Sequence, residues 1–249
     1  MNGNSENYGD SFQQRSKYTR ANLPAHYLDW SRKPEIYKIY KNAISKIQLP
    51  KPKFDENIKF WEVLVKRQSI RNFSDEPISL MELSSLLFGM EGLTRIFPQF
   101  AYRISPSAGG LYPIEIYPVI NNVEQLKQGV YHYNIPEHSL ELLKLGDFRN
   151  EVAEGCLGQK MSYNSAVNFI WSAVIERSKW KYLQRCYRYI YLDCGHIAQN
   201  LYLVAEALNL GACCIGAIFD DELNRLIEID GFDETVIYVG VVGKRKIKS

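Results

Sequence analysis

PSAGGLYPIEIY, residues 106–117, joins a loop of small residues to an apolar run. The run from 114 to 120 predicts a strand, because it is apolar and rich in β-branched and aromatic side chains. The loop from Pro106 to Gly110 has little side-chain bulk, so a flat ligand can lie against its backbone and free N–H groups can point at ring heteroatoms. A tight turn before a strand is the simpler interpretation, and the composition leaves both open.

Patterns on both sides of this stretch predict an α+β chain in which helices and strands interleave irregularly. Further strands are predicted at 129–135, 140–145, 167–175, 213–218 and 234–242. Helices are predicted at 57–67, from Ser79 onward, at 185–210 and from about Asp221.

Three of the helices have distinctive patterns. The helix at 57–67 carries one apolar stripe, formed by Ile58, Trp61, Leu64 and Val65. The helix that follows Ser79 begins with a capping box completed by Glu82. The helix at 185–210 is apolar on nearly every face, which predicts burial in a large core or at a subunit interface.

The first 53 residues differ from the rest of the chain. Aromatic residues are scattered there among Lys and Arg, and the segment closes with the helix-breaking sequence LPKP at 49–52. We therefore expect residues 1–53 to form an extension that lies against the main domain, residues 54–249, or against another copy of it.

Composition excludes several functional classes. The 249 residues carry 30 Lys and Arg against 28 Asp and Glu, a net charge of +2, which is too even for a protein that coats nucleic acid. The absence of a long apolar run and the polar amino terminus argue against membrane insertion and secretion. Five cysteines without a C-x-x-C motif favour neither disulfides nor a metal site, and they fit a reducing cytoplasm. Sequence motifs of Rossmann, P-loop, zinc-protease and serine-hydrolase sites are missing.

RQSIR at 67–71 is the first candidate binding segment. Arg67 and Arg71 stand four residues apart with Ser69 between them, and guanidinium groups bind phosphate oxygens in pairs. A solvated helix end with favourable cations is the simpler interpretation.

Lys181-Tyr182, just before the long helix, is the candidate for proton transfer. Such a pair is ordinary surface decoration unless it faces a cavity. In a cavity, a Lys kept from water can act as a base, and a phenol can donate or accept a proton.

Two further segments lie near the carboxyl end. Ile215-Gly216-Ala217 offers a second surface for close approach of a flat ligand, although burial of small residues explains it equally well. Lys244 and Arg245 belong to a basic tail, which is either a frayed end or a cationic contact to phosphate.

In their order and spacing, these stretches resemble the flavin-dependent nitroreductase superfamily, and within it the SagB/ThcOx-type dehydrogenases that oxidise azolines in ribosomal peptides. The resemblance runs from about residue 17 to the end of the chain. Its motifs are RQSIR at 67–71, PSAGGLYPIEIY at 106–117, GVYHYN at 129–134, KY at 181–182, DCGHIAQNLYLVAEALNLG at 193–211 and CIGAI at 214–218. Leu28-Asp29-Trp30 in the extension is similar to that branch as well.

The resemblance implies a nitroreductase-like α+β fold, with an antiparallel or mixed sheet flanked by helices, and a homodimer of domain-swapped type that binds FMN between its subunits. Arg67, Ser69 and Arg71 are then expected to hold the phosphate and ribityl chain. The residues expected against the isoalloxazine are Pro106, Ser107, Ala108, Gly109, Gly110, Ile215, Gly216 and Ala217. Lys244 or Arg245 is expected to meet the phosphate. Gly110, where the branch commonly has Ala, should loosen the loop.

The implied reaction oxidises a thiazoline or oxazoline to an azole, which removes one proton and one hydride. FMN accepts the hydride, Lys181 acts as the base with Tyr182 as its relay, and backbone N–H groups of the loop stabilise negative charge. A modified peptide substrate and a cyclodehydratase partner are expected. Two alternatives stay open: an FMN oxidoreductase that acts on a small molecule with NAD(P)H, and a flavin-binding but inactive subunit of a biosynthetic complex.

Overall fold

The computed structural model describes residues 7–23, 27–98 and 100–246. Its strands are β1 (Ser45–Gln48), β2 (Leu93–Ile96), β3 (Ala101–Arg103), β4 (Ile114–Ile120), β5 (Gly129–Asn134), β6 (Ser139–Leu145), β7 (Val167–Val174), β8 (Leu210–Ile215) and β9 (Glu234–Lys244). Its helices are α1 (Tyr8–Arg15), α2 (Phe60–Lys66), α3 (Leu80–Glu91), α4 (Arg149–Gly155), α5 (Lys160–Asn164), α6 (Ile175–Tyr182), α7 (Cys186–Ala207) and α8 (Asp220–Leu226). Short 3-10 turns occur at Trp30–Arg32, Ala108–Gly110 and Leu183–Arg185.

A seven-stranded sheet in the order β1-β6-β5-β4-β7-β9-β8 lies at the centre, and each of its pairings is antiparallel. β2 and β3 form a separate hairpin. Every residue of β4 is buried, because the sheet is covered on both faces. One face packs on α3 and α7, and the other packs on α4, α5 and α8. The expected sheet flanked by helices is therefore confirmed, and the sheet is antiparallel throughout.

The long helix α7 is buried on one side only within a single chain. Ile190, Cys194 and Leu201 point into the core, whereas Tyr191 and Leu192 are 54% and 59% exposed. The sequence predicted burial on nearly every face of this helix, but the core of a single chain buries only one side of it. The remaining exposed apolar face is typical of a helix that packs against another subunit.

The end of α7 differs from the sequence-based expectation. The helix ends at Ala207, and Asn209 adopts a left-handed φ of 56° that turns the chain into β8. Gly211, which follows the predicted end of the helix at 210, already lies inside β8, and this strand begins three residues before the predicted start at 213. Asn is one of the few residues that adopts this conformation readily, which explains the earlier turn.

The predicted apolar stripe of α2 stays exposed in the part of the chain that the structure describes. The helix forms, but Trp61 is 73% and Val65 83% exposed, and no residue of α2 is buried. Periodicity predicted the helix correctly, but it does not specify what covers the apolar side chains.

The amino-terminal extension lies along the rest of the molecule. Its β1 pairs with β6 at the edge of the sheet, with Ser45 opposite Leu142. Lys38 forms an ion pair of 2.5 Å with Glu234 of β9. Residues 1–6 and 24–26 lie outside the described part, and the domain boundary at residue 53 stays a prediction. Among the helices of the described residues, none combines the length and the apolarity needed to cross a membrane.

Candidate functional site

The RQSIR segment follows α2 and lies against α7 and β8. The Ile70 N–H donates to the Ala212 carbonyl at 2.8 Å. The Ser69 hydroxyl is 3.2 Å from the Tyr202 hydroxyl, which also accepts the Cys214 N–H at 2.8 Å. Burial raises the pKa of Tyr202 to about 12, so its hydroxyl stays protonated at neutral pH. The tertiary structure thus places RQSIR beside the strand that leads to the predicted contact at 215–217.

The two arginines of this segment have no acidic partner among the described residues. Arg67 lies over the Tyr202 ring, with 5.2 Å from its guanidinium carbon to the ring centroid. Arg71 is exposed, and its guanidinium donates to the Ser69 carbonyl at 3.5 Å. Two guanidinium groups in one segment, without a carboxylate partner among the described residues, leave positive charge for an anion.

Lys244 and Arg245, by contrast, are both paired. Lys244 ends β9 and binds Glu82 at 2.6 Å, and Arg245 binds Glu206 at 2.6 Å. A frayed tail is therefore the wrong interpretation of residues 244–245, because both are held in the fold. Their role as phosphate contacts stays a prediction, and it requires that either cation share or exchange its carboxylate. Residues 247–249 lie outside the described part.

The loop at Pro106–Gly110 is fastened to α7 by one carboxylate. Asp193 accepts a hydrogen bond from the Ser107 hydroxyl at 2.6 Å and from the Ala108 N–H at 3.1 Å. Burial raises the pKa of Asp193, and these hydrogen bonds oppose the rise. The Gly110 N–H donates to the Ser107 carbonyl at 3.0 Å, so two of the loop's N–H groups are already engaged within the chain.

Lys181 and Tyr182 meet this loop at Gly109. A Cβ built on Gly109 would lie 2.6 Å from the Tyr182 hydroxyl oxygen and 3.0 Å from Lys181 Nζ. Gly109 and Gly110 have φ values of 68° and 65°, a conformation that favours glycine. Burial raises the pKa of Tyr182, which therefore remains a neutral phenol. Gly109 and Lys181, which are more than 70 positions apart in the sequence, therefore lie side by side in the structure.

The segment at 215–217 is the third predicted binding segment. Ile215 is buried at the end of β8, whereas Gly216 and Ala217 are exposed just beyond it. They follow Cys214, whose N–H binds Tyr202, so they lie on the RQSIR side of α7.

The candidate site residues form two groups on opposite sides of α7. Asp193, which holds the loop, and Tyr202, which contacts RQSIR, are nine positions apart. Nine residues correspond to two and a half turns, so the two side chains point in opposite directions and are separated by about 13 Å along the axis. By the same geometry, the exposed Leu192 lies between these two directions, whereas the exposed Tyr191 lies close to the direction of Tyr202.

A buried ionic network supports the helix that carries the Lys-Tyr pair. His132 lies 2.9 Å from both Glu115 and Glu141, and Arg177 of α6 binds Glu115 at 2.5 Å. Burial raises the pKa of Glu115, but the charge of Arg177 and the His132 contact outweigh it and lower the pKa to about 2. Burial alone would lower the pKa of His132, but its two carboxylate partners raise it overall.

Sequence reasoning missed some of these residues. His132 was not among the candidate site residues, and it lies buried in β5, within the strand predicted at 129–135. Glu115 and Asp193 were not singled out. Each of these carboxylates stands inside an otherwise apolar strand or helix. That position was a signal in the sequence, because a buried charge needs a partner.

The sequence profile of the Nitroreductase family matches residues 64–244. This range includes RQSIR, the loop at 106–110, the Lys-Tyr pair and the segment at 215–217. The chain therefore belongs to the nitroreductase family, whose members are flavin oxidoreductases that typically bind FMN.

Three relatives illustrate the range of the family. A Methanocaldococcus jannaschii protein that is named as a nitroreductase is 35% identical over 194 residues, which are 78% of this chain and 95% of that protein. The trifolitoxin-processing protein TfxB of Rhizobium leguminosarum bv. trifolii is 29% identical, over 57% of this chain and 39% of its own length. The microcin B17-processing protein McbC of Escherichia coli is 27% identical, over 56% of this chain and 53% of its own length. The aligned part is thus about half or less of either peptide-processing relative.

Solved structures share the fold. An Anabaena variabilis protein named for the nitroreductases aligns with a TM-score of 0.78 at 32% identity, over 94% of this chain and 45% of that one. The Escherichia coli microcin synthetase McbBCD, solved with truncated pro-MccB17 bound, aligns at 0.62 and 21% identity, over 96% and 92% of the two chains. The NADPH:FMN oxidoreductase of Vibrio harveyi, complexed with NAD+, aligns at 0.53 and 18% identity, over 76% and 72%. At such low identity, the last two show the fold alone.

Proposed function

We propose that this protein is an FMN-dependent oxidoreductase of the SagB/ThcOx type, which oxidises thiazoline or oxazoline rings to azoles in a ribosomally made peptide. The observation that carries the proposal is the contact of Lys181 and Tyr182 with the loop at Gly109. A lysine beside a neutral phenol, at a loop without side-chain bulk, can remove a proton from a flat ring held there.

The described residues fit FMN. Arg67 and Arg71 have no acidic partner among them, as an anionic phosphate requires, and Ser69 adds a hydroxyl between the two. On the other side of α7, a Cβ on Gly110 would meet no atom within 4 Å, which leaves the backbone there bare for a planar ring. We assign Arg67, Ser69 and Arg71 to the phosphate and ribityl chain, with the loop at 106–110 and the segment at 215–217 against the ring. FMN, when bound, supplies the acceptor for the hydride that leaves the substrate carbon.

Two copies of the chain are needed in this proposal. The phosphate half and the ring half point away from each other across α7, so one chain presents them to different sides. A second copy that covers the exposed face at Tyr191 and Leu192 brings the loop of one subunit toward the arginines of the other. The apolar stripe of α2, exposed at Trp61 and Val65, provides further surface for such a homodimer.

In the proposed reaction, the protein's own residues move the proton. Lys181 accepts it from the azoline ring carbon as the hydride leaves, and Tyr182 relays it away. The proton and the hydride together account for the two hydrogens lost when the ring becomes aromatic. Asp193 holds the loop in position, because it binds Ser107 and Ala108 just before Gly109.

A peptide substrate and a cyclodehydratase partner are supported by the names of two relatives. TfxB and McbC are processing proteins of the peptides trifolitoxin and microcin B17. An azoline must be formed by cyclodehydration before it is oxidised, so an enzyme of that class supplies the substrate. All five cysteines are free thiols, which is why we place the protein in a reducing compartment such as the cytoplasm.

A second candidate is an NAD(P)H-dependent oxidoreductase for a small molecule, favoured by the 35% identity to the Methanocaldococcus jannaschii protein. One experiment separates the two. The FMN-loaded protein is mixed anaerobically with a thiazoline peptide or with NAD(P)H, and flavin absorbance near 450 nm is followed. Bleaching by the peptide supports the proposal, and bleaching by NAD(P)H alone supports the second candidate. No bleaching by either supports an inactive subunit.

A further inference from the structure

Four side chains around the Lys-Tyr pair donate hydrogen bonds to backbone carbonyls of the amino-terminal extension. Arg177 donates to Glu35 at 2.7 Å, Trp180 to Asp29 at 2.9 Å, Arg185 to Ser16 at 2.6 Å and Arg188 to Gln13 at 2.7 Å. We call residues 12–18 and 29–35 the strap. The strap therefore contacts the chain on both sides of Lys181 and Tyr182.

Leu183, the residue after Tyr182, has a strained backbone. Its φ of 49° and ψ of −137° end α6 and open the short turn that leads into α7. This region is populated by glycine, and a residue with a Cβ adopts it only when the surroundings hold it there. The strap contacts supply that hold, since two lie before Leu183 and two lie after it.

A chain of contacts leads from the strap to Tyr182. The guanidinium of Arg185 lies 4.4 Å from the ring centroid of Tyr18 in the strap, and its Nε donates to the Tyr189 hydroxyl at 2.9 Å. The Tyr189 ring is 4.6 Å from the Tyr182 ring. A shift of Arg185 therefore changes the position of the phenol that contacts Gly109.

We infer that the strap is a positioning element, which holds the strained backbone at Leu183 and thereby keeps Lys181 and Tyr182 against the loop at Gly109. The inference rests on the proposed function, in which this pair removes the proton. Arg185 and Arg188 are positioning residues in it, because they act through the backbone and Tyr189 and do not touch the reacting atoms.

The extension has other anchors just beyond the strap, so the contacts of the strap with Arg185 and Arg188 can be tested separately. Lys38 binds Glu234, and the Tyr40 N–H donates to Glu141 at 3.0 Å. These contacts attach the extension to the sheet independently of α6 and α7. Loss of the Arg185 and Arg188 contacts should therefore release Leu183 without detaching the extension.

The test uses the full-length, FMN-loaded chain with Arg185→Gln and Arg188→Gln combined. Arg225→Gln, at an exposed arginine of α8, is the matched control. We expect amide hydrogen exchange at 181–188 to rise in the double variant and exchange in β4 and β7 to stay the same. With a thiazoline peptide, kcat should fall about tenfold while KM and FMN affinity are retained, because the pair is misplaced but the binding site is not.

Adding Leu183→Gly to the double variant distinguishes positioning from general stabilisation. Glycine adopts the observed conformation without strain, so the turn should persist without the strap and kcat should recover to within about threefold of the starting protein. Unchanged exchange at 181–188, or a kcat loss that Leu183→Gly does not rescue, overturns the inference. Lys181→Ala is measured alongside. If that variant keeps full turnover, the proposed function fails, and hydrogen exchange still decides whether the strap holds the turn.

Discussion

Gly109→Ala places a methyl group at the contact between the loop and the Lys-Tyr pair. The added carbon would lie 2.6 Å from the Tyr182 hydroxyl and 3.0 Å from Lys181 Nζ. Ordinary contact begins at roughly 3.5 Å, so the phenol must move by about 1 Å. Misplacement of that size in a catalytic group typically costs about 100-fold in rate.

The substitution also has a backbone cost, which a matched variant measures. Gly109 and Gly110 have nearly equal φ values, 68° and 65°, but a Cβ on Gly110 meets no atom within 4 Å. An alanine at either position therefore costs about 1 kcal/mol from the left-handed backbone alone. For a chain of this size, both variants should lose about 2–4 °C in Tm.

The assay is anaerobic flavin reduction by a thiazoline peptide, with FMN affinity measured separately by fluorescence titration. We expect Gly109→Ala to slow reduction about 100-fold and Gly110→Ala to slow it at least tenfold less. Equal rates in the two variants, despite equal losses in Tm, would refute the reasoning that the pair acts at this loop.

The remaining predictions concern the phosphate contact, the base, the dimer and the buried network. Arg71→Ala should weaken FMN binding by about 1–3 kcal/mol through loss of a charge-assisted contact, and fluorescence titration should show no such loss for Lys66→Ala on exposed α2. Lys181→Ala should keep its flavin but turn over azoline peptides more slowly, and equal turnover would favour the small-molecule function. Leu192→Glu should convert the proposed homodimer to monomer in size-exclusion chromatography and release FMN, because it puts a charge on the exposed face of α7. The pKa of His132 is raised above 6.5, so its contribution to stability is complete below that pH and is lost as the pH rises through the folded-state value. In urea titrations, the free energy of unfolding of the natural chain should therefore fall as the pH rises above about 6.5, and His132→Gln should flatten that dependence.

Local sequence patterns predicted most elements of secondary structure. The capping box at Ser79 and Glu82 forms as expected, with the Glu82 N–H donating to the Ser79 hydroxyl at 3.2 Å and the Ser79 N–H to the Glu82 carboxylate at 2.8 Å. The apolar run after Pro113 becomes β4. These features depend on neighbours within a few residues, so their pattern can be read directly along the chain.

Contacts between distant residues were not readable in the same way. The sequence indicated Lys181 and Gly109 separately, but their proximity arises from packing of α6 beside the loop, over 70 residues apart. No acidic partner for Lys244 could be identified from the sequence, but in the structure the end of β9 lies beside Glu82. The exposed stripe of α2 is a further example. Periodicity predicted this helix, but it did not indicate which surface the apolar side chains would contact.

The order and spacing of the motifs therefore determined the family, the central sheet and the candidate residues on their own. Only the tertiary structure decided that one helix separates the site into two halves and that the extension borders the strained turn at Leu183. Motifs record short-range propensities, whereas the direction in which a side chain points across a core depends on how every packed element fills the volume around it.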